Sequence, residues 1–153
     1  MQKLFALMFL FLSLSVAKPI EPINKAVFDC SAEDMHYIYS RMKLIERTAQ
    51  DFNSSKEPYQ FVLTVHSHCT PIVSKESLEY VEDKEVKLLK NIQKQLIKLM
   101  EIYKVDIRVC KIALKAHFIE PKTLLPNIKI TKNSFLDVIR LQNRGYALFP
   151  LIQ

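Results

Sequence analysis

Glycine is almost missing from this sequence, with Gly145 the only one among 153 residues. The dinucleotide-binding fingerprint, the Walker phosphate loop and the Gly-x-Ser-x-Gly nucleophile elbow each need several positions without a side chain, so all three are absent. The sequence also has no His-Glu-x-x-His and no Cys-x-x-Cys motif, which removes the common zincin and thioredoxin signatures. Nucleotide-dependent chemistry and the common hydrolase chemistries are therefore disfavoured.

Charge is missing from residues 4–16, an apolar run whose last residues, Ser15 and Val16, form with Ala17 a group of small residues. A signal peptidase reads small residues at such positions. The run is about 13 residues long, shorter than the ~20 that a membrane helix needs. We expect residues 1–17 to be a secretory signal and residues 18–153 to form one domain. The mature protein is then periplasmic or secreted, with no stable membrane insertion.

The net charge of the chain is +6 at pH 7, with acidic and basic residues mixed along the sequence. A basic balance can indicate nucleic acid or an anionic membrane surface as a partner. Because the export signal argues against nucleic acid, we interpret the lysines as a solvated surface. We expect no nucleic-acid partner.

Strand-like and helix-like segments alternate about five times along the chain. The clearest strand is the β-branched and aromatic run at residues 59–65, and the longest helix begins at Asp83 with apolar residues at spacings of three and four. Parallel strands need crossover connections, which are usually helices. The pattern predicts a three-layer α/β/α fold with a mainly parallel sheet of about five strands.

Only three cysteines occur, and Cys30, Cys69 and Cys110 each follow a predicted strand. In a parallel sheet they would share the carboxyl edge, where open α/β folds place their ligands. Cys110 also precedes a predicted helix and lies near Lys111 and Lys115. A helix N-terminus and nearby cations both favour the thiolate, which is the nucleophilic form. Cys110 is therefore the candidate reactive sulfur.

His66, His68 and Cys69 form a second candidate group. Residues two apart on an extended strand face the same side, so both imidazoles could reach one ion. Cys110 from a neighbouring strand would complete four ligands of the types that zinc or copper accepts. Alternatively, His66 assists a thiol as a base or a hydrogen-bond partner. Histidines bonded to backbone or water at a strand end are the third interpretation.

The sequence resembles the DsrE/DsrF-like family, in its exported (periplasmic) branch. The resemblance is carried by the strand that ends in His66, by the segment Val-Asp-Ile-Arg-Val-Cys at 105–110 and by Leu-Gln-x-x-Gly-Tyr-Ala at 141–147. It covers nearly all of residues 18–153. It implies a DsrE-like fold and a small sulfur-handling subunit that forms a homo-oligomer, as a trimer or hexamer. It also implies that sulfur is carried as a persulfide on Cys110 and exchanged with a donor or acceptor protein.

Export also implies an oxidising compartment in which disulfides persist. In the resembled fold the second strand lies between the first and the third, so Cys69 can reach either Cys30 or Cys110. Neighbouring strands are about 4.8 Å apart, which suits the ~4.4–6.8 Å between the Cα atoms of a disulfide. A bond to Cys30 would leave Cys110 free, whereas a bond to Cys110 would block the persulfide or turn it into a redox switch.

Two functional hypotheses from different classes follow. The first is a thiol-based sulfur-handling or redox accessory subunit that uses Cys110 and His66, needs no cofactor and does not turn over a substrate alone. The second is a non-catalytic module that presents His66, His68 and Cys69 to a metal or a partner protein. A purely structural oligomer with inert cysteines is the third alternative.

Overall fold

The computed structural model describes residues 22–79 and 81–152. The strands are β1 (Asn24–Cys30), β2 (Tyr59–Val65), β3 (Asp106–Cys110), β4 (Lys129–Thr131) and β5 (Ala147–Leu151). The α-helices are α1 (Met35–Ser55), α2 (Asp83–Glu101), α3 (Lys111–Ala116) and α4 (Ser134–Gln142). Short 3-10 helices span Ser67–Val73, Lys75–Glu79 and Pro121–Thr123.

No helix in the described ranges is long and apolar enough to cross a membrane. The predicted signal at residues 1–17 lies outside them.

The five strands form one sheet in the order β4-β3-β2-β1-β5, and every pairing is parallel. In the register, Val27 lies beside Val62 and Val65 beside Val109. Helices cover both faces of the sheet, so the predicted three-layer α/β fold is confirmed. Because all strands run the same way, their carboxyl ends meet at one edge.

One face of the sheet packs against α1 and α2 in the larger core. Its strand residues alternate with those of the opposite face, as the two-residue period of a strand requires. Burying each large aliphatic side chain stabilises the fold by about 1.5–3 kcal/mol. The largest fully buried side chains of this core are Ile38, Met42, Leu63, Leu89, Ile92, Leu96, Leu99 and Ile107.

A buried carboxylate links α1 to α2 on the outer side of this core. Glu46 is 3% exposed and accepts hydrogen bonds from Lys43 at 2.6 Å, from Gln95 at 2.9 Å and from Lys98. Burial raises the pKa of Glu46, but the hydrogen bonds from Lys43, Lys98 and Gln95 outweigh it and lower the pKa to about 2. The ionised carboxylate is therefore the form that joins the two helices.

The opposite face of the sheet packs against α4. Val27 and Val62 contact Val138 and Leu141 of that helix in a small separate core. A polar link adds to this packing, because the Arg108 guanidinium donates to Asp137 of α4 at 2.8 Å and to Asp106 at 2.6 Å. Burial raises the pKa of Asp106, but the hydrogen bonds from Arg108 and Lys129 outweigh it and hold the pKa below its usual value.

One strand end differs from the prediction. Strand β2 stops at Val65, and Cys69 lies in the 3-10 helix Ser67–Val73 rather than at the end of a strand. The chain leaves the sheet at Ser67, whose φ of 51° is incompatible with a strand. Pro71 also lacks the N–H that a ladder would need. Cys30 and Cys110 do close β1 and β3 as predicted.

Candidate functional site

The candidate site lies at the carboxyl edge of the sheet, on the side covered by α4. Val65 is paired with Val109, so the residues that follow them, His66 and Cys110, lie next to each other on neighbouring strands. Side chains alternate along a strand. Arg108 faces α4 through its contact with Asp137, and Cys110, two residues later, therefore faces α4 as well.

Cys110 is the free cysteine of the chain, and it is 5% exposed. Burial raises the pKa of its thiol. The backbone amides of Ala113, Ser134 and Ile112 and the Ser134 hydroxyl act in the other direction, and together they hold the pKa below its ordinary value. The fold thus favours a thiolate at Cys110, and it does so mainly through amide and hydroxyl donors rather than through the lysines expected from the sequence.

Ser134 is held beside Cys110 by the start of α4. The Asn133 side chain caps this helix by accepting a hydrogen bond from the Phe135 amide at 2.9 Å, so the helix begins at Ser134. Ser134 itself is buried. The pairing of Asp137 with Arg108, one turn further along, fixes α4 against β3. Two independent contacts therefore determine where the Ser134 donors lie.

His66 is paired with an acidic residue of the neighbouring strand. Its Nε2 atom lies 3.1 Å from Asp29 Oδ1, and Thr64 donates its hydroxyl to the same oxygen. Burial raises the pKa of Asp29, but the hydrogen bonds from His66 and Thr64 outweigh it and lower the pKa. When Nε2 carries the proton that it donates to Asp29, Nδ1 is left with a free lone pair. Asp29 thus orients the imidazole as a base.

Two adjacent residues of α4 connect the imidazole with the thiol. Ser134 provides donors to Cys110, and the ring of Phe135 lies 6.1 Å from the His66 ring in an edge-to-face arrangement. Phe135 is 68% exposed. Within the parts of the chain that the structure describes, no hydrogen bond joins His66 directly to Cys110. The arrangement is a thiol with stabilising donors beside an oriented imidazole, under an exposed aromatic ring.

The other two cysteines form a disulfide. Cys30 and Cys69 are bonded to each other with their Cα atoms 5.9 Å apart, and both are fully buried. Of the two pairings that the sequence leaves open, the structure has the one that keeps Cys110 free. The disulfide packs in the core beneath α1 and α2, whereas Cys110 faces α4. The sheet therefore separates the oxidised pair from the free thiol.

The predicted metal ligands are not brought together. The sulfur of Cys69 is bonded to Cys30, so it provides no thiolate. His68 lies in a 3-10 helix and does not share a strand face with His66; it lines a cleft with His36 and His117 instead. Across residues 22–79 and 81–152, no group of three His, Cys, Asp or Glu side chains is placed to hold a metal ion. The assumption of an extended strand through His68 was wrong, because the chain turns at Ser67.

The family model described as "DsrE/DsrF-like family" matches residues 25–151 of this chain. The chain belongs to the DsrE/DsrF-like family. An uncharacterized protein of Aquifex aeolicus (strain VF5) is 38% identical over 142 residues, which are 93% of this chain and 62% of that protein. The chain thus spans less than two thirds of this relative's length.

A solved structure supports the fold of this DsrE/DsrF-like protein. MTH1491 of Methanobacterium thermoautotrophicum, a protein of unknown function, superposes with a TM-score of 0.65 at 13% identity. The match covers 83% of this chain and 98% of that one. At this low sequence identity, the likeness supports the fold and nothing about function. The family resemblance read from the sequence is therefore confirmed, while the assignment to an exported branch stays a prediction.

Three site residues were missed by the sequence analysis: Asp29, Thr64 and Ser134. Asp29 had a readable signal, because it is an acidic residue inside an otherwise apolar strand, immediately before Cys30. Such a carboxylate needs hydrogen-bond partners when it is partly buried. Thr64 and Ser134 had no comparable signal, since their importance depends on which strand and which helix the fold places beside them.

Proposed function

We propose that this DsrE/DsrF-like protein is an exported, thiol-based sulfur-handling subunit that carries sulfur as a persulfide on Cys110. The observation that carries the proposal is the free Cys110 thiol, whose pKa is lowered by amide and hydroxyl donors. A thiol in this environment is a better nucleophile at neutral pH than an ordinary buried cysteine. The protein acts as a carrier or accessory subunit rather than as a stand-alone enzyme.

The proposed transfer moves one sulfur atom between two thiols. The Cys110 thiolate attacks the terminal sulfur of a donor persulfide, and an S–S bond forms between Sγ and that atom as the donor's own S–S bond breaks. The donor leaves as a thiolate, and the hydrogen stays on the transferred sulfur. No external oxidant, metal or other cofactor is needed, because the attacking and leaving groups are both thiolates. The donors around Cys110 also stabilise the negative charge of the ionised persulfide.

His66 is proposed to move the proton in this exchange. As a base it would accept the proton of the Cys110 thiol, and as an acid it would protonate the departing thiolate. Asp29 is then a positioning residue, because its hydrogen bond at 3.1 Å fixes the tautomer and orientation of the ring. The Phe135 ring lies edge-to-face with the imidazole.

The disulfide supports export. Disulfides are rare in reducing compartments and common in the periplasm and outside the cell. The bond between Cys30 and Cys69 joins fully buried sulfurs of the core, so it contributes to the fold rather than to the candidate site. A periplasmic or secreted location is therefore the proposed one, with residues 1–17 as the signal.

Exposed apolar side chains support assembly with further copies of this chain. Phe135, Leu136 and Ile139 of α4 are 68%, 39% and 55% exposed. Adjacent apolar residues exposed on one short helix are typical of an interaction surface. A trimer or hexamer is the proposed state, and a sulfur donor or acceptor protein is the proposed partner. Light scattering coupled to size exclusion would show a monomer if this assembly does not form.

The central test is transfer of sulfur to Cys110. We expect intact mass measurement after exposure to glutathione persulfide to show one added sulfur atom, mapped by peptide analysis to Cys110 and absent in Cys110→Ser. The Cys30–Cys69 disulfide should stay closed. A Cys110 thiol that takes no sulfur, or that reacts only after unfolding, would refute the proposal.

A matched pair of serine variants tests why Cys110 is reactive. In Ser134→Ala one donor to the thiolate is lost, so we expect the pH profile of Cys110 alkylation to shift to higher pH. Ser77→Ala is the control, because Ser77 is buried to a similar degree, 7% exposed against 6% for Ser134, but lies outside the site. Equal profiles for the two variants would show that the Ser134 hydroxyl does not lower the thiol pKa.

A further inference from the structure

A cleft of ≈500 Å³ lies between α3 and the end of β4. Three lysines, Lys111, Lys115 and Lys132, surround a floor that includes Leu114, Ile119 and Ile130. We refer to it as the lysine cleft. Its volume lies within the range of about 300–1,000 Å³ that is typical of small-molecule sites.

The lysine cleft carries positive charge without compensation. Its lining contains no acidic residue, and within the described parts of the chain none of its three lysines forms an ion pair. Neighbouring lysines do find partners: Lys122 pairs with Glu120 at 2.7 Å and Lys129 with Asp106 at 2.9 Å. Four other clefts of this protein each contain at least one acidic residue. The charge of the lysine cleft is therefore a local property and not a consequence of the basic composition.

The floor of the cleft is apolar, and the cleft borders the candidate site, because Thr131 of its lining is paired with Cys110 and Lys111 follows Cys110 directly. Leu114 is part of the core beneath α1 and α2, and Ile130 is paired with Val109, which faces the same core. Cys110 faces α4 on the other side of the sheet. Ile130 is 42% exposed, so the floor offers apolar surface that a ligand can cover.

We propose that the lysine cleft binds a small organic anion, with its acidic group among the three lysines and its hydrocarbon part on the floor. Two features favour this ligand class. Unpaired ammonium groups attract carboxylate, sulfonate or phosphate oxygens, and removal of exposed apolar surface from water adds to binding. The cleft also lies at the carboxyl edge of a parallel sheet, which is the usual place for ligands in such folds. The cleft borders Cys110, but this inference does not depend on the proposed sulfur transfer.

The test is an NMR titration of the oxidised, ¹⁵N-labelled protein with hexanesulfonate, which combines one anionic group with a short hydrocarbon chain. Hexanol and inorganic sulfate provide the two halves separately. We expect saturable shifts of the amide signals at 111–115 and 130–132 with hexanesulfonate, and much weaker effects with either half. The result does not depend on whether Cys110 accepts sulfur, so this inference and the proposed function fail separately.

A charge-matched pair of variants sharpens the experiment. One variant replaces the three cleft lysines by glutamine: Lys111→Gln, Lys115→Gln and Lys132→Gln. We expect it to bind hexanesulfonate about tenfold more weakly than wild type. The control replaces three exposed lysines of α2 by glutamine, at positions Lys87, Lys90 and Lys94. Equal weakening in both variants, absence of saturable shifts, or tighter binding of a polyglutamate peptide at the cleft would each overturn the proposal.

Discussion

The disulfide between Cys30 and Cys69 gives a quantitative prediction. The bond joins residues separated by 39 positions, so it closes a long loop in the unfolded chain. In the chain-entropy model a loop of this length stabilises the folded state by about 4 kcal/mol. Typical total stabilities are about 5–15 kcal/mol. We therefore expect reduction of this one bond to remove a large part of the stability.

The assay is chemical denaturation followed by circular dichroism, on oxidised protein and on protein fully reduced before the experiment. The free energy of unfolding should fall by about 4 kcal/mol on reduction. The Cys30→Ala and Cys69→Ala double variant is the control, because reductant has no bond to break in it. It should be at least as unstable as the reduced protein, since it also loses two buried sulfur atoms.

Two results would refute the reasoning. A difference of less than about 1 kcal/mol between oxidised and reduced protein would mean that the loop is already constrained in the unfolded chain. An equal effect of reductant on the double variant would mean that the disulfide is not the source of the change. Cys110 alkylation in the native protein should remain possible in both redox states, because the sheet separates it from the bond.

Three further predictions concern stability and the site. As pH falls from about 4.5 towards 2, protonation of Glu46 should lower the free energy of unfolding by about 2 kcal/mol, a figure reduced because its lysine partners are half exposed. The Glu46→Gln variant should lack this loss. The same dependence of stability on pH in wild type and variant would contradict the prediction. Ser67→Gly should stabilise the protein by about 0.5–1 kcal/mol, because Ser67 has a φ of 51°, which glycine adopts without strain. Ser54→Gly, within α1, should destabilise it. Equal changes in melting temperature for the two variants would show that Ser67 is not strained. Arg108→Met should lower the free energy of unfolding by about 2 kcal/mol and move the pH profile of Cys110 alkylation to higher pH, because α4 loses its link to β3. A pH profile unchanged from wild type would exclude a positioning role for Arg108.

Local sequence pattern was sufficient to predict most of the fold. The residues of β2 matched the prediction of 59–65, and α2 began at Asp83 as expected, because β-branched runs and spacings of three and four indicate which residues are buried. The expectation that α2 is the longest helix was wrong, since α1 has 21 residues and α2 has 19. The position of Cys69 was not predictable in this way. Pro71 in its segment is a sequence signal against a continuing strand, but the turn at Ser67, where the chain leaves the sheet, is seen only in the structure.

The candidate site was predictable only in part. Cys110 ends β3 and His66 follows β2, its neighbour in the sheet, so their closeness comes from the topology of a parallel sheet. The partners that adjust their chemistry are distant in sequence: Asp29 belongs to β1, and Ser134 is the first residue of α4. Their contributions depend on strand order and on the packing of one helix, and neither quantity can be read from local composition.

The position of the sheet between the disulfide and Cys110 has a consequence for the lifetime of a carried sulfur. A persulfide is most quickly lost when a thiol of the same molecule attacks it, because such an attack needs no encounter. Here the two other cysteines are bonded to each other and face the opposite side of the sheet. A persulfide on Cys110 would therefore wait for a thiol from another molecule, and the choice of recipient would depend on which partner can bring its thiol to Cys110.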